Sequence, residues 1–167
     1  YKAEDFDINR LRKNVQLDIQ LLKKVLQLVE PITPDRDDKL QTLKKWLAKL
    51  PLKDGKRLVF TQYADTARYL FENLNKEGKR DDIEVIYSGD KSKAKVVGRF
   101  APKANPDYQF ASGESEIKTL LSTDVLAEGL NLQDCNKIVN YDLHWNPVRL
   151  IQRFGRIDRI GSDHDII

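Results

Sequence analysis

The chain has 167 residues, 40% of them hydrophobic and 33% charged, enough for one domain core plus an appended segment. Its 29 basic and 26 acidic residues leave a net charge of +3, which permits nucleic-acid contact but argues against a purely electrostatic binder. The single cysteine, Cys135, excludes an internal disulfide and fits a reducing cytosol; with His144 and His164 it makes no zinc-spaced ligand set, and no apolar run approaches the roughly 20 residues of a membrane span.

In chain order, residues 6–30 have helical spacing, with Ile8, Leu11, Val15, Ile19, Leu22, Leu26 and Val29 on one stripe. Leu17, Leu21, Val25 and Leu28 form a second stripe on the other side. Such a helix is packed on both faces by another part of the protein or is buried in this domain, and both readings stay open. Pro31 and Pro34, with Thr33, Asp35, Asp37 and Asp38, mark a break and a helix start. Leu40, Leu43, Trp46, Leu47 and Leu50 then predict an amphipathic helix closed by Pro51, with Lys39, Lys44, Lys45 and Lys49 as its solvated face.

Beyond Asp54-Gly55, residues 57–61 and 83–87 read as strands, with helices over 64–76 and 92–100. Residues 101–116 read as a long loop, of the kind that is often functional or mobile. Strands follow at 117–122 and 137–142, and a closing helix runs from Pro147 to about Ile160; residues 164–167 read as the start of a fifth strand. Alternating strands and helices predict an α/β fold, a mostly parallel sheet with helices on both faces. Residues 1–52 would be an N-terminal helical segment and 53–167 the main lobe. Ligands of such folds bind at the carboxyl ends of strands, where SGDK, STDVLAEGLN and DLHWNP fall.

On a helical wheel Gln152, Arg156 and Arg159 lie within about 40° of one line, with Leu150, Phe154 and Ile157 opposite. One face can dock on a core while the other offers two guanidinium groups, which match phosphate oxygens bidentately. Gly155 would cost about 1 kcal/mol in a helix interior, which favours a close-approach role there. The plainer reading pairs Arg156 and Arg159 with Asp158, Asp163 or Asp165 at the surface.

The order S-T-D-x-x-x-E-G-L-N-L, D-x-x-W-N-P, Q-R-F-G-R-I-D-R-I-G resembles the C-terminal, second RecA-like lobe of superfamily two helicases. It is most similar to SWI/SNF-type DNA translocases, and within them to the branch holding the bacterial ATPase that recycles RNA polymerase. The resemblance spans about Lys56 to Gly161 and implies a three-layer RecA-like fold. It implies Arg156 and Arg159 as arginine fingers reaching a γ-phosphate, with Gln152 near the nucleotide. Glu128, Gly129 and Asn131 match the loop linking the ATP site to the DNA track. Thr123, Gly89 and Gln62 match nucleic-acid contacts; Lys91, with Lys93 and Lys95, either substitutes for a helix arginine that cannot be placed or belongs to a solvated helix face. The sequence departs from the family in two respects: Asn131 stands where many relatives carry an acid, and the segment from Gly89 to Phe100 is about three residues short.

Neither Gly55-Lys56-Arg57 nor Gly78-Lys79-Arg80 completes the phosphate-cradling G-x-x-x-x-G-K-[ST]. The chain starts at Tyr1 and stops at Ile167 inside an apolar run, and so reads as a piece of a longer protein. The resemblance therefore implies that ATP and Mg2+ are held mainly by an N-terminal RecA-like lobe lying before Tyr1. It further implies double-stranded DNA as substrate, a DNA-bound complex such as RNA polymerase as partner, and a bacterial or archaeal cytosol. Two alternatives stay open: a non-catalytic docking module, and strand-separating or RNA-directed activity.

Overall fold

A computed structural model of the chain describes residues 6–87, 92–124 and 130–158. The chain divides into two compact units, residues 1–41 and 42–167.

The first unit holds α1 (Ile8–Val29), opened by Asp7, whose carboxylate accepts from Arg10 N at 3.0 Å. No residue of α1 is buried. The reading of a buried helix is therefore overturned, and both apolar stripes, Leu22 and Leu28 among them, face solvent. A short 3-10 turn (Pro34–Arg36) precedes α2 (Asp38–Leu47), whose first turn is capped by Asp37 accepting from Leu40 N at 3.0 Å. The proline break and acidic cap thus act where the sequence placed them. Leu40 and Leu43 are buried, but Trp46, within the helix, is exposed, as is Leu50, which lies beyond the helix because α2 ends at Leu47, before Pro51.

The second unit is a four-stranded parallel sheet in the order β2-β3-β1-β4, built from β1 (Arg57–Phe60), β2 (Ile83–Ile86), β3 (Thr119–Ser122) and β4 (Ile138–Asn140). Parallel neighbours need crossovers. These are α3 (Ala64–Leu74) between β1 and β2, α4 (Lys93–Phe100) with residues 101–118 between β2 and β3, and the segment 123–137 between β3 and β4. Leu58 pairs with Leu120, Val59 with Leu121 and Phe60 with Ser122. The period-2 pleat therefore sends Leu58, Phe60 and Leu120 to one face and Val59 and Leu121 to the other. The first face carries the main core, shared with Val96, Val97 and Phe100 of α4 and with Ile117, Leu132, Cys135 and Ile157. On α3, which packs against β2 and β3, Ala67 and Leu70 are buried. The expected fifth strand at 164–167 lies outside the described residues.

Residues 101–116 contain no helix or strand, as expected, but the loop is pinned rather than loose. Tyr108 lies over Gly98 of α4, where a β-carbon would come within 2.2 Å of its ring. Its hydroxyl donates to Glu114 Oε2 at 2.9 Å, and Lys95 Nζ reaches Glu114 Oε1 at 2.5 Å. Lys95, a candidate phosphate contact, is thus engaged by a carboxylate of its own lobe.

Candidate nucleotide and nucleic-acid site

The closing helix, α5, is Pro147–Phe154. Asn146 caps it by accepting from Val148 N at 3.0 Å, and Pro147 occupies the first position, where a missing N–H costs nothing. The N-P of D-x-x-W-N-P is therefore a helix-start signal. The helix stops earlier than Ile160 because Gly155 is its C-cap, its N–H donating to Ile151 O at 2.9 Å. The chain then turns through Ile157. A β-carbon at Gly155 would make only ordinary contact, 3.5 Å from Ile151 O, so the close-approach role inferred for a helix-interior glycine is withdrawn.

The buried side of α5 also differs from the wheel. Ile157 is buried and Leu150 half-buried, but Phe154 is exposed, and Arg153 takes the inward position with no solvent exposure at all. A guanidinium cannot sit there without partners. Arg153 Nε donates to Asp124 Oδ1 at 2.7 Å; its Nη1 donates to Asn140 Oδ1 at 2.8 Å and to Asp142 O at 3.4 Å. The group lies over the Phe60 ring, 4.9 Å from its centroid. Nη2 is buried and carries no hydrogen bond.

Arg153 thus gathers the carboxyl ends of three strands. Asp124 follows β3, Asn140 ends β4, and Asp142 follows β4 while also accepting from Thr61 Oγ1 at 2.5 Å and Gln62 N at 3.3 Å beyond β1. The ladder extends the same way, with Thr61 N donating to Ser122 O at 2.9 Å and Tyr141 N to Phe60 O at 2.8 Å. Sequence reasoning missed this hub because it weighed only Gln152, Arg156 and Arg159 as the polar side of the helix and gave Arg153 no role. The available signal was the pair of acids, Asp124 and Asp142, standing in the quoted motifs beside an arginine in the helix that follows.

The expected site residues fall out as follows. Arg156 is half-exposed, one turn beyond Arg153; its Nε is buried without a hydrogen bond, and its carbonyl accepts from Leu132 N at 3.3 Å. That bond brings the Asn131 segment beside Arg156. Asn131 itself is half-buried, its Nδ2 donating to Gln133 Oε1 at 2.9 Å and its Oδ1 accepting from Gln133 N at 3.3 Å. Gln152 is exposed on the outer side of α5. Thr123 is buried at the end of β3, its N–H directed to Ile86 O at 3.4 Å, and Gln62 is exposed at the end of β1. Arg159, Glu128, Gly129, Gly89 and Lys91 lie outside the described residues. Among the described residues Arg156 makes no salt bridge with Asp158; the other members of the surface pairing weighed above, Arg159, Asp163 and Asp165, lie outside them.

Around this edge stand exposed apolar side chains, Trp145 at 89% and Ile151 at 68% exposure, with Leu143 and Val148 beside them in sequence. Among the described residues no group of three or more His, Cys, Asp or Glu is placed to hold a metal ion. No helix among them is long and apolar enough to cross a membrane.

Residues 38–161 match the family described as the helicase conserved C-terminal domain. The chain is 36% identical over 113 residues to the Bacillus subtilis (strain 168) protein named uncharacterized ATP-dependent helicase YqhH, covering 68% of this chain and 18% of that protein. It is 37% identical over 131 residues to the RNA polymerase-associated protein RapA of Sodalis glossinidius (strain morsitans), covering 78% of this chain and 12% of the relative. The chain thus spans under a fifth of the length of these relatives. Among solved structures, the C-terminal part of the Fun30 ATPase domain superposes with a TM-score of 0.57 at 16% identity, covering 77% of this chain and 38% of that one. The parallel sheet with its helices is the RecA-like fold of helicase C-terminal domains.

Proposed function

The chain belongs to the helicase C-terminal domain family, and from that premise we propose that it is the second motor lobe of an ATP-dependent, double-stranded DNA translocase that remodels protein–DNA complexes. The observation that carries the reading is the hub at Arg153. It fixes the turn holding Arg156 against the carboxyl ends of β1, β3 and β4, the edge where α/β folds bind ligands.

In this proposal Arg156, with Arg159, supplies arginine fingers to a nucleotide held chiefly by an N-terminal RecA-like lobe. Gln152, Glu128, Gly129 and Asn131 lie near that nucleotide, and Thr123, Gly89, Gln62 and Lys91 track the DNA backbone. The unbonded Nε of Arg156 supports the role, since a guanidinium with unspent donors can take a transferring phosphoryl group without breaking an existing pair. Mg2+ and the phosphate-cradling loop belong to the other lobe, whose closure on ATP would bring the fingers into place and whose reopening would step the protein along DNA. The similarity to the RNA polymerase-associated protein RapA supports a DNA-bound polymerase as the remodelled partner. Backbone-led contacts of this kind carry little base information, so sequence preference should be weak.

A non-catalytic docking module is the second reading, and the exposed Trp145 and Ile151 favour it as surfaces for a partner. One experiment separates the two. Steady-state ATP hydrolysis by the parent protein is measured without nucleic acid, with duplex DNA, with single strands and with RNA. Stimulation by duplex DNA without strand separation supports the translocase. No hydrolysis under any condition identifies the docking module, and stimulation by RNA or unwinding of the duplex overturns the assigned substrate or reaction. The purified chain alone should hydrolyse no ATP.

A further inference from the structure

The opposite edge of the sheet holds a second feature. Arg57, Ile83 and Thr119 are the first residues of β1, β2 and β3, and they line a cleft of about 650 Å3 together with residues from α2, α3 and the turns that follow them. A four-residue strand at about 3.3 Å per residue puts this cleft roughly 13 Å from the motif-bearing edge. Six of its thirteen lining residues are cationic: Lys44, Lys53, Arg57, Lys76, Arg80 and Lys118. One is acidic, Asp82, in a chain whose 29 bases and 26 acids nearly balance.

That acid is already engaged. Arg80 Nε donates to Asp82 Oδ1 at 3.0 Å and its Nη2 to Oδ2 at 2.8 Å, and these bonds hold the Asp82 carboxyl below its ordinary range. Arg57, on the floor, is only 7% exposed yet has no carboxylate within salt-bridge distance among the described residues. Its Nε donates to Thr119 Oγ1 at 2.7 Å and its Nη1 to the carbonyls of Leu52 and Lys53 at 2.7 and 2.8 Å, which fix the guanidinium plane. No described residue hydrogen-bonds Nη2. Burial, and then repulsion from Arg80, pushes the Arg57 pKa down. A buried, preorganised, unpaired cation beneath four lysines is costly unless an anion completes it.

We propose that this cleft is a binding site for a phosphoryl anion of pyrophosphate size, separate from the edge that carries the helicase motifs. Arg57 meets it from the floor with a fixed donor, and Lys53, Lys118, Lys44 and Lys76 neutralise it from the walls. The cleft is roomy enough to admit such an anion with its hydration, and phosphate oxygens match both the fork of a guanidinium and the point charges of lysines.

The test is isothermal titration of inorganic pyrophosphate into the full chain at low ionic strength, for wild type and for the double variant Lys53→Gln/Lys118→Gln. Both lysines are exposed, so the fold, checked by circular dichroism, should survive. A control variant, Lys23→Gln/Lys24→Gln, removes the same charge from α1. Saturable one-to-one binding is expected, weakened by at least about tenfold, or about 1.4 kcal/mol, in the cleft variant and unchanged in the control. Displacement of pyrophosphate by duplex DNA would identify the nucleic-acid backbone as the source of the anion; retention would identify a free phosphoryl compound, and either seats the group in the cleft. Absence of saturable binding, or equal affinity in wild type and the cleft variant, would overturn the proposal.

Discussion

Arg153 and Asp124 meet at 2.7 Å across 29 residues of chain, with the guanidinium fully buried and the carboxylate largely so. This bond ties the helix after β4 to the segment after β3. Arg149 adds a second, looser approach to the same carboxylate at 4.0 Å. Removing one member of a buried pair leaves the other charge uncompensated, at a cost of about 3–5 kcal/mol. Arg153→Met and Asp124→Leu should each destabilise the chain by that order in urea denaturation. The double variant should lose clearly less than the sum, because no orphaned charge remains. Additive losses would show that the two residues act independently.

Gly98 faces Tyr108 so closely that an added methyl would stand 2.2 Å from the ring. In an open helix glycine-to-alanine gains about 1 kcal/mol. Here Gly98→Ala should instead cost about 1–3 kcal/mol through overpacking, and Tyr108→Ala in the same chain should recover part of it. Thermal or urea unfolding of the two variants reads the sign directly.

The Glu114 carboxyl is pulled from an ordinary 4.5 down to about 2, chiefly by Lys95, then by the N–H of Ala111 and the hydroxyl of Tyr108. A carboxyl whose folded pKa is depressed contributes stability above its unfolded pKa and loses it as pH falls through the folded value. The stability gap between wild type and Glu114→Gln should therefore be full at neutral pH and shrink as pH drops from about 4.5 towards about 2. A gap that stays constant across that window would show that the Lys95–Glu114–Tyr108 clamp contributes nothing through the charge.

Much of the fold was legible because it rests on periodicity. The runs at 57–61 and 83–87, the helical spacing at 64–76 and the proline stops each report local physics, and their elements appear within a few residues of the expected bounds. The structure differs where tertiary contacts override a local rule. The helical wheel gave its inner face to Leu150, Phe154 and Ile157 and gave Arg153 no role, but Asp124, Asn140 and the Phe60 ring make an inward position tolerable for it. Gly155 was placed in a helix interior, yet it is the C-cap, and beyond it the chain turns with i→i−3 bonds from Arg156 to Arg153 and from Ile157 to Phe154. Residues 101–116 carry no periodic signal, and it is tertiary contacts, the packing of Tyr108 on Gly98 and the bonds of Glu114 to Tyr108 and Lys95, that show they are fixed. At the motif edge the motifs were specific enough to name candidate residues; the hub beside them was not legible, since its bonds join residues 11 to 81 positions apart.

In the proposed motor Arg156 completes a nucleotide site formed with another lobe, and Arg156→Ala in the parent protein removes that contribution. Arginine fingers contribute about 10³–10⁵ to turnover, so duplex-stimulated ATP hydrolysis should fall by about 10³-fold or more while affinity for duplex DNA stays at the wild-type level. Hydrolysis near the wild-type rate in that variant, with folding intact, would contradict the account.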